Sequence, residues 1–205
     1  MTFRTPWAWL AIVAAGVLAI YLPGLGNELV FDDLRLADGS LDKYRALDEL
    51  RVRLLSYGSF PWLAALLGDG WWKQRLVNLL LHLATVAALF AFWREVLACL
   101  EGPKAEPGQP APVPYAESPA LAFAVGFFAL NPAAVYGVAY LVQRSILMAT
   151  LFTVLALWLF VKGVRESRPG LHAAALALYV LAILSKEHAL LAPLAALPLY
   201  VVAAR

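Results

Sequence analysis

Two adjacent aspartates, Asp32 and Asp33, stand in the stretch LVFDDLRL, shortly after the first long apolar segment of the chain. A carboxylate in that place can accept a proton from a hydroxyl group or orient the hydroxyl for reaction. The same pair can also be a solvated stop after the helix, with Asp33 or Asp38 capping a turn. The sequence leaves both interpretations open.

A second polar cluster lies in the stretch KQRLVNLLLHL, where Arg75, Asn78 and His82 are spaced by three and then four residues. This spacing puts the three side chains on one face of a helix. Ionisable side chains inside apolar helices normally face the bundle interior or a wet cavity. Hydrogen bonds between helices are the alternative. We favour a functional role for Arg75 and a structural role for Asn78.

A third cluster follows Asn131–Pro132, where the missing donor of proline ends a helix. The next turns carry Tyr140, Gln143 and Arg144. Guanidinium groups form bidentate hydrogen bonds with phosphate, so Arg144 is a candidate phosphate ligand. It could equally extend to the membrane interface or pair with Asp33.

The fourth cluster is Lys186, Glu187 and His188, between two apolar segments. A polar hairpin tip accounts for these residues without any function. The same tip would nevertheless place a second cation, Lys186, on the face that holds Arg144.

Composition identifies the class of protein. Of the 205 residues, 62% are hydrophobic and 15% are charged, and the mean hydropathy is +0.73. Soluble domains carry about 25% charged residues, so the sequence predicts an integral membrane protein. The net charge of +2 does not suggest a nucleic-acid partner. A single cysteine, Cys99, cannot form an internal disulfide.

Six apolar segments approach the length of about 20 residues that a spanning helix needs. We therefore predict an all-α, polytopic helix bundle of about six transmembrane helices, and the first segment is predicted to be an uncleaved signal anchor. The segments are Trp7–Leu22, Leu76–Leu97, Ala120–Leu130, Ile146–Val164, Leu171–Leu184 and Ala189–Ala204.

The polar stretches between these segments complete the predicted organisation of a single module, residues 1–205. In the first loop, residues 26–74, the pattern of Ser40–Ser56 predicts an amphipathic helix along the membrane surface, with Ser40 as its N-cap. Residues 59–72 are too few to span the membrane and are predicted to form an interfacial or re-entrant segment. Residues 101–119 are proline-rich and are predicted to be a linker.

The distribution of Lys and Arg favours a cytoplasmic N-terminus. The predicted inner side then receives Arg4, Arg94, Lys104, Lys162, Arg165, Arg168 and Arg205. In this topology all four polar clusters share the outer side. Cations there can hold a leaving phosphate while a carboxylate activates an acceptor hydroxyl, as transfer from an anionic lipid-phosphate donor requires.

The order of these motifs resembles the N-terminal membrane module of GT-C fold glycosyltransferases, especially the transmembrane and tetratricopeptide-repeat O-mannosyltransferase family and its bacterial relatives. The likeness rests on FDD, RLLSYGSF, WWKQRLVNLLLHL, NPAAVYGVAYLVQRSILMATLF and LSKEHALLAP, across most of residues 20–195.

The resemblance implies a bacterial inner-membrane enzyme that moves a sugar from a polyprenyl-phosphate donor to a protein or glycan hydroxyl on the outer side, with inversion.

By position, Asp32 or Asp33 is then the catalytic base. Arg144, Lys186 and Arg75 are candidate ligands of the donor phosphate. Asn78, His82, Gln143, Tyr140, Glu187 and His188 are supporting polar residues. Mannosyltransferases of this kind need no metal whereas oligosaccharyltransferase relatives use one, and we favour no cofactor.

The chain also departs from the family pattern. GT-C enzymes have about twice as many membrane helices, followed in these relatives by helical repeats, and Asn131–Pro132 replaces their usual His-Pro. The chain is therefore interpreted as a truncated form, one half of a split protein or a minimal homologue. A C-terminal helical-repeat region or a partner subunit is the candidate partner of the first two. The alternative function is a non-catalytic membrane subunit that binds a lipid-linked sugar or scaffolds a partner. A transporter fits less well, since the charges lie at helix ends and no repeat is visible.

Overall fold

A computed structural model describes residues 6–46, 49–101, 114 and 117–204. Within these residues every regular element is helical and no strand occurs, which confirms the predicted all-α class. The α-helices are α1 (Pro6–Tyr21), α2 (Leu54–Leu67), α3 (Trp71–Cys99), α4 (Pro119–Leu130), α5 (Ala134–Val138), α6 (Arg144–Glu166), α7 (Pro169–Ser185) and α8 (Ala196–Ala203).

Three helical segments in the described part of the chain are long and apolar enough to cross a membrane: Trp7–Gly26, Trp71–Cys99 and Leu141–Glu166. The fold is therefore compatible with a membrane protein. The expectation of six spans is not supported, although all six predicted segments are helical. The reason is length: the 12 residues of α4 extend about 18 Å at 1.5 Å per residue, short of a hydrocarbon core of about 30 Å.

The bundle is built around α3 and α6, which pack against each other, while α7 packs along α6 and α4 packs against both α1 and α3. The largest core cluster joins α1, α3, α4, α5 and α6 through buried apolar side chains. Its most buried members are Val17, Leu79, Val86, Phe90, Val125, Ala129 and Val138. In a membrane, such close side-chain packing is a main force between helices, because lipid is as apolar as the core.

The predicted amphipathic helix over Ser40–Ser56 is wrong for the described residues. Only a short 3₁₀ turn, Asp42–Tyr44, forms before α2 begins at Leu54. Arg53, directly before α2, has a left-handed backbone with φ of 62°, which a continuous right-handed helix excludes. Leu50 is 84% exposed, so the apolar residues of the pattern do not share one buried face. Leu47 lies outside the described residues.

Helix α2 joins the first loop to the end of the bundle. Its buried residues Tyr57 and Phe60 form a cluster with Leu41 of the loop and with Leu141 and Val142 before α6. With 14 residues, α2 is about 21 Å long, as expected of a segment too short to span.

Some predictions fall outside the described residues. These are most of the proline-rich linker over 101–119 and the cations Arg4, Lys104 and Arg205 of the predicted inner side. The assignment of residues 1–205 to one module stays a prediction.

We predict that Gly58→Ala destabilises the fold. A Cβ atom at Gly58 would lie 2.9 Å from the backbone oxygen of Tyr44 and 2.6 Å from the Trp62 ring. Overpacking of this kind costs about 1–3 kcal/mol. Thermal unfolding in detergent micelles, followed by circular dichroism, measures the loss. Gly26→Ala is the matched control, because nothing lies within 4 Å of its added Cβ; equal stability of the two variants would contradict the prediction.

Candidate functional site

The structure brings all four polar clusters together at one end of the bundle. Asp33 binds the turn that precedes α6, and Asn78 of α3 binds Arg144 at the start of α6. Lys186, just after α7, reaches Gln143. The clusters separate into a buried layer and an exposed layer, and each layer has different chemistry.

The aspartate pair is divided between these layers. Asp33 is fully buried, whereas Asp32 is exposed. One carboxylate oxygen of Asp33 accepts the Val142 N–H at 2.8 Å and the other accepts the Leu141 N–H at 3.1 Å. Burial raises the pKa of Asp33 above its ordinary value, and these two N–H donors oppose that rise. Both oxygens of Asp33 are thus engaged in holding the first loop on the bundle.

Arg144 is the centre of the buried layer. Its Nε donates to Asn78 Oδ1 at 2.7 Å and its Nη1 donates to Ser59 Oγ at 3.0 Å. Its Nη2 donates to both the backbone oxygen and Oε1 of Gln74, each at 2.8 Å. The guanidinium carbon also lies 3.8 Å from the ring centre of Phe60, in a cation–π contact. Four hydrogen bonds and one ring therefore enclose the whole group.

This enclosure changes the interpretation of Arg144. The side chain has no exposed surface, so its guanidinium has no open face for a phosphate. It makes no ion pair with an acidic side chain in the described residues, and the suggested pair with Asp33 does not form. A buried charge is costly unless its donors are satisfied. Arg144 thus acts in the fold as a polar anchor that joins α2, α3 and α6.

The rest of the second cluster is also buried. Arg75 donates to the backbone oxygens of Glu28, at 2.7 Å, and Leu25, at 3.4 Å, and so holds the chain that leaves α1. Asn78 donates to the backbone oxygens of Val138 and Leu141. His82 lies 3.0 Å from the backbone oxygen of Ala129. Asn78 thus bridges α3 to the turn before α6, and Arg75 is 4% exposed, with its guanidinium directed at the loop backbone.

The exposed layer is a row of contacts that starts at Asp32 and passes through the buried side chain of Gln143, which is 8% exposed. The Asp32 backbone N–H donates to the Tyr140 hydroxyl at 2.9 Å, and the ring of Tyr140 lies 5.6 Å from the ring of Tyr136. Gln143 Nε2 donates to the Tyr136 hydroxyl at 2.8 Å. At the other end of its amide, Gln143 Oε1 accepts from Lys186 Nζ at 3.4 Å. We call these five residues the polar row.

An ion pair borders the polar row. Arg53 donates from both Nε and Nη2 to the carboxylate of Glu187, and from Nη1 to the Tyr57 hydroxyl. The hydrogen bonds from Arg53 lower the pKa of Glu187 to about 2. Burial and the nearby Arg53 charge lower the pKa of Lys186. Burial and the Lys186 charge lower the pKa of His188 in the same way.

Sequence reasoning missed several partners that hold the site. Ser59 and Gln74, which bind Arg144, and Arg53, which binds Glu187, were not predicted. Gln74 lies four residues before Asn78 on the same helix, so the helical spacing contained a signal for it. Arg53 carried no such signal, because its partner is 134 residues away.

The described residues were also compared with the requirements of a metal site, and the chain with known proteins. Among the described residues, no group of three or more His, Cys, Asp or Glu side chains is arranged to hold a metal ion; the expectation that no metal is needed stays a prediction. Comparison of the chain with protein-family models, curated proteins and solved structures finds no match.

We predict that replacing Asp33 destabilises the fold more than replacing Asp32. Asp33→Asn places an amide donor against a backbone N–H and is expected to cost about 1–3 kcal/mol of unfolding free energy. Asp32→Asn changes an exposed side chain and is expected to stay within about 0.5 kcal/mol of the wild type. Chemical unfolding in micelles measures both free energies. An Asp33→Asn variant as stable as Asp32→Asn would contradict the stabilising role of the two hydrogen bonds to Asp33.

We also predict that Arg144→Lys is destabilising although it keeps the charge. A lysine cannot reproduce the planar fork that reaches three side chains, and hydrogen bonds to charged groups are worth about 1.5–3 kcal/mol each. We expect a loss on the order of 3 kcal/mol in the same unfolding assay. Arg35→Lys, at an exposed position, is the control, and a loss no larger than that of the control would contradict the anchoring role.

Proposed function

We propose that the chain is a membrane glycosyltransferase of the GT-C type, or the N-terminal module of one. In this proposal it transfers a sugar from a polyprenyl-phosphate donor to a hydroxyl of a protein or glycan. The polar row would face the outside of a bacterial inner membrane, with the N-terminus in the cytoplasm. The observation that carries the proposal is an exposed carboxylate and a half-buried ammonium group at opposite ends of one polar row.

Asp32 is the proposed base because its carboxylate is exposed to an incoming hydroxyl. Asp33 is proposed to position Asp32, since its own two oxygens are already engaged by backbone N–H groups. This assignment separates the roles of two adjacent residues that the sequence could not tell apart.

Lys186 is the proposed ligand of the donor phosphate. Its ammonium group has three donor hydrogens, and the only hydrogen bond described for it is the 3.4 Å contact with Gln143. Arg144 and Arg75, the other predicted phosphate ligands, are enclosed by protein oxygens. We therefore propose that they support the site and do not touch the phosphate.

The proposed reaction is a single displacement. The acceptor oxygen attacks the anomeric carbon as its proton passes to the Asp32 carboxylate. The bond between that carbon and the phosphate oxygen breaks, and the electron pair leaves with the polyprenyl phosphate. The Lys186 ammonium group offsets the charge that develops on the leaving oxygen. The step needs no oxidant or reductant.

A non-catalytic lipid-binding subunit is the second candidate. It is favoured by the number of predicted site residues that the fold uses internally, since Asp33, Arg75, Asn78 and Arg144 are all buried and hydrogen-bonded. Such a subunit would need Lys186 to bind phosphate but would not need Asp32.

The test is transfer of label from polyprenyl-phosphate sugars to acceptor peptides in vesicles that contain the full chain. We predict that Asp32→Asn lowers the rate by about 100-fold or more, the usual contribution of a general base. Lys186→Gln is expected to weaken donor binding with a smaller effect at saturating donor. Asp38→Asn is the matched control, because Asp38 is an exposed aspartate of the same loop.

The outcomes separate the two candidates. Unchanged transfer by Asp32→Asn would remove the catalytic role of that carboxylate. Binding of polyprenyl phosphate that depends on Lys186, with no transfer by the folded wild type, would identify the binding subunit. A folded wild-type protein that shows no binding of polyprenyl phosphate and no transfer would contradict both proposals.

A further inference from the structure

A second concave site lies outside the polar row, between the first loop, α2 and the start of α3. It is a cavity of about 310 Å³, at the lower end of the range of about 300–1,000 Å³ for small-molecule pockets. Its apolar lining residues are Leu36, Leu41, Phe60, Pro61 and Ala64. Its polar lining residues are Asp42, Arg45, Asp69 and Gln74, and Gly70 and Trp71 complete the lining.

Three charged side chains that line the cavity make no hydrogen bond or ion pair with the other described residues. Asp42, Arg45 and Asp69 make no side-chain hydrogen bond or ion pair within the described part of the chain. Two groups that only accept hydrogen bonds and one that only donates them therefore surround a single space. A ligand rich in hydroxyl groups matches this set, because each hydroxyl both donates and accepts.

The Trp71 side chain adds an aromatic surface to these polar groups. Trp71 is 38% exposed and borders the cavity. An indole offers a broad apolar face with one polar N–H, which suits the C–H face of a sugar ring. Gly70 has a φ of 135°, a conformation that glycine adopts readily and other residues rarely do. This backbone places Asp69 and Trp71 on the same cavity although they flank the start of α3.

Two residues that line the cavity also contact the buried Arg144 guanidinium. Phe60 packs against the Arg144 guanidinium, and Gln74 accepts two hydrogen bonds from it. Both side chains also line the cavity. Its inner surface is therefore preorganised, which lowers the entropic cost of binding.

We propose that this cavity binds a pyranose ring of a neutral glycan. Trp71 packs on the ring, while Asp42, Asp69 and Arg45 bind its hydroxyl groups. The proposal goes beyond the proposed transfer reaction, because the cavity contains neither Asp32 nor Lys186. Equilibrium binding tests it, so a failure here leaves the transfer assay unaffected.

The experiment uses the full chain in a detergent without a sugar head group, since such a head group would compete for the cavity. Saturation-transfer difference NMR is recorded with methyl α-D-mannopyranoside, methyl β-D-glucopyranoside and methyl β-D-galactopyranoside. We expect a saturable signal from at least one of them. Trp71→Ala and the double variant Asp42→Asn/Asp69→Asn should each weaken binding by about tenfold or more, roughly 1.4 kcal/mol.

Trp72→Ala is the matched control. Trp72 is 51% exposed and is adjacent in sequence, but it does not line the cavity. If both tryptophans serve only as membrane-interface anchors, the two alanine variants should behave alike. Equal weakening by Trp72→Ala would overturn the proposal. So would unchanged affinity in the double aspartate variant, which alters exposed side chains and leaves the packing intact, or no saturable signal from the folded wild type.

Discussion

The polar end of the bundle depends on one buried guanidinium group. Arg144 begins α6, and its four hydrogen bonds end on α2 and α3. Because a buried charge without partners is strongly destabilising, the helices must keep the arrangement that satisfies it. Phe60 adds a fixed ring face to the same group. The register of three helices is therefore set at this end by electrostatics, while apolar packing holds the remainder of the bundle.

The position of the acidic pair follows from this anchor. Residues Leu141 and Val142 directly precede Arg144, and their N–H groups hold the Asp33 carboxylate. Phe31, which precedes the pair, has a left-handed backbone with φ of 50°, a strained conformation for a bulky residue. Adjacent side chains then have opposite environments: Asp33 is buried against the bundle and Asp32 is exposed beside Tyr140. A site that presents one exposed carboxylate on a hydrogen-bonded support is suited to proton transfer.

The same anchor also connects two surfaces with different chemistry. Gln74 and Phe60 contact Arg144 on one side and line the cavity beside Trp71 on the other. Gln143, next to Arg144 in the chain, extends the polar row towards Lys186. The cavity and the polar row are thus joined through residues that contact Arg144 or lie next to it in the chain.

The sequence by itself determined the helical class and the six helical apolar segments, because hydropathy and the 3.6-residue period are local properties. It also identified the four polar clusters, and the spacing of Arg75, Asn78 and His82 correctly placed them on one helix. Only the tertiary structure decided how many segments are long enough to span, where the first-loop helix begins, and which aspartate is exposed. It also showed that residues of α2 and α3 enclose the Arg144 guanidinium and that Arg53 pairs with Glu187, 134 residues away. The physical reason is that burial and hydrogen-bond satisfaction depend on neighbours distant in the chain, which a local pattern cannot specify.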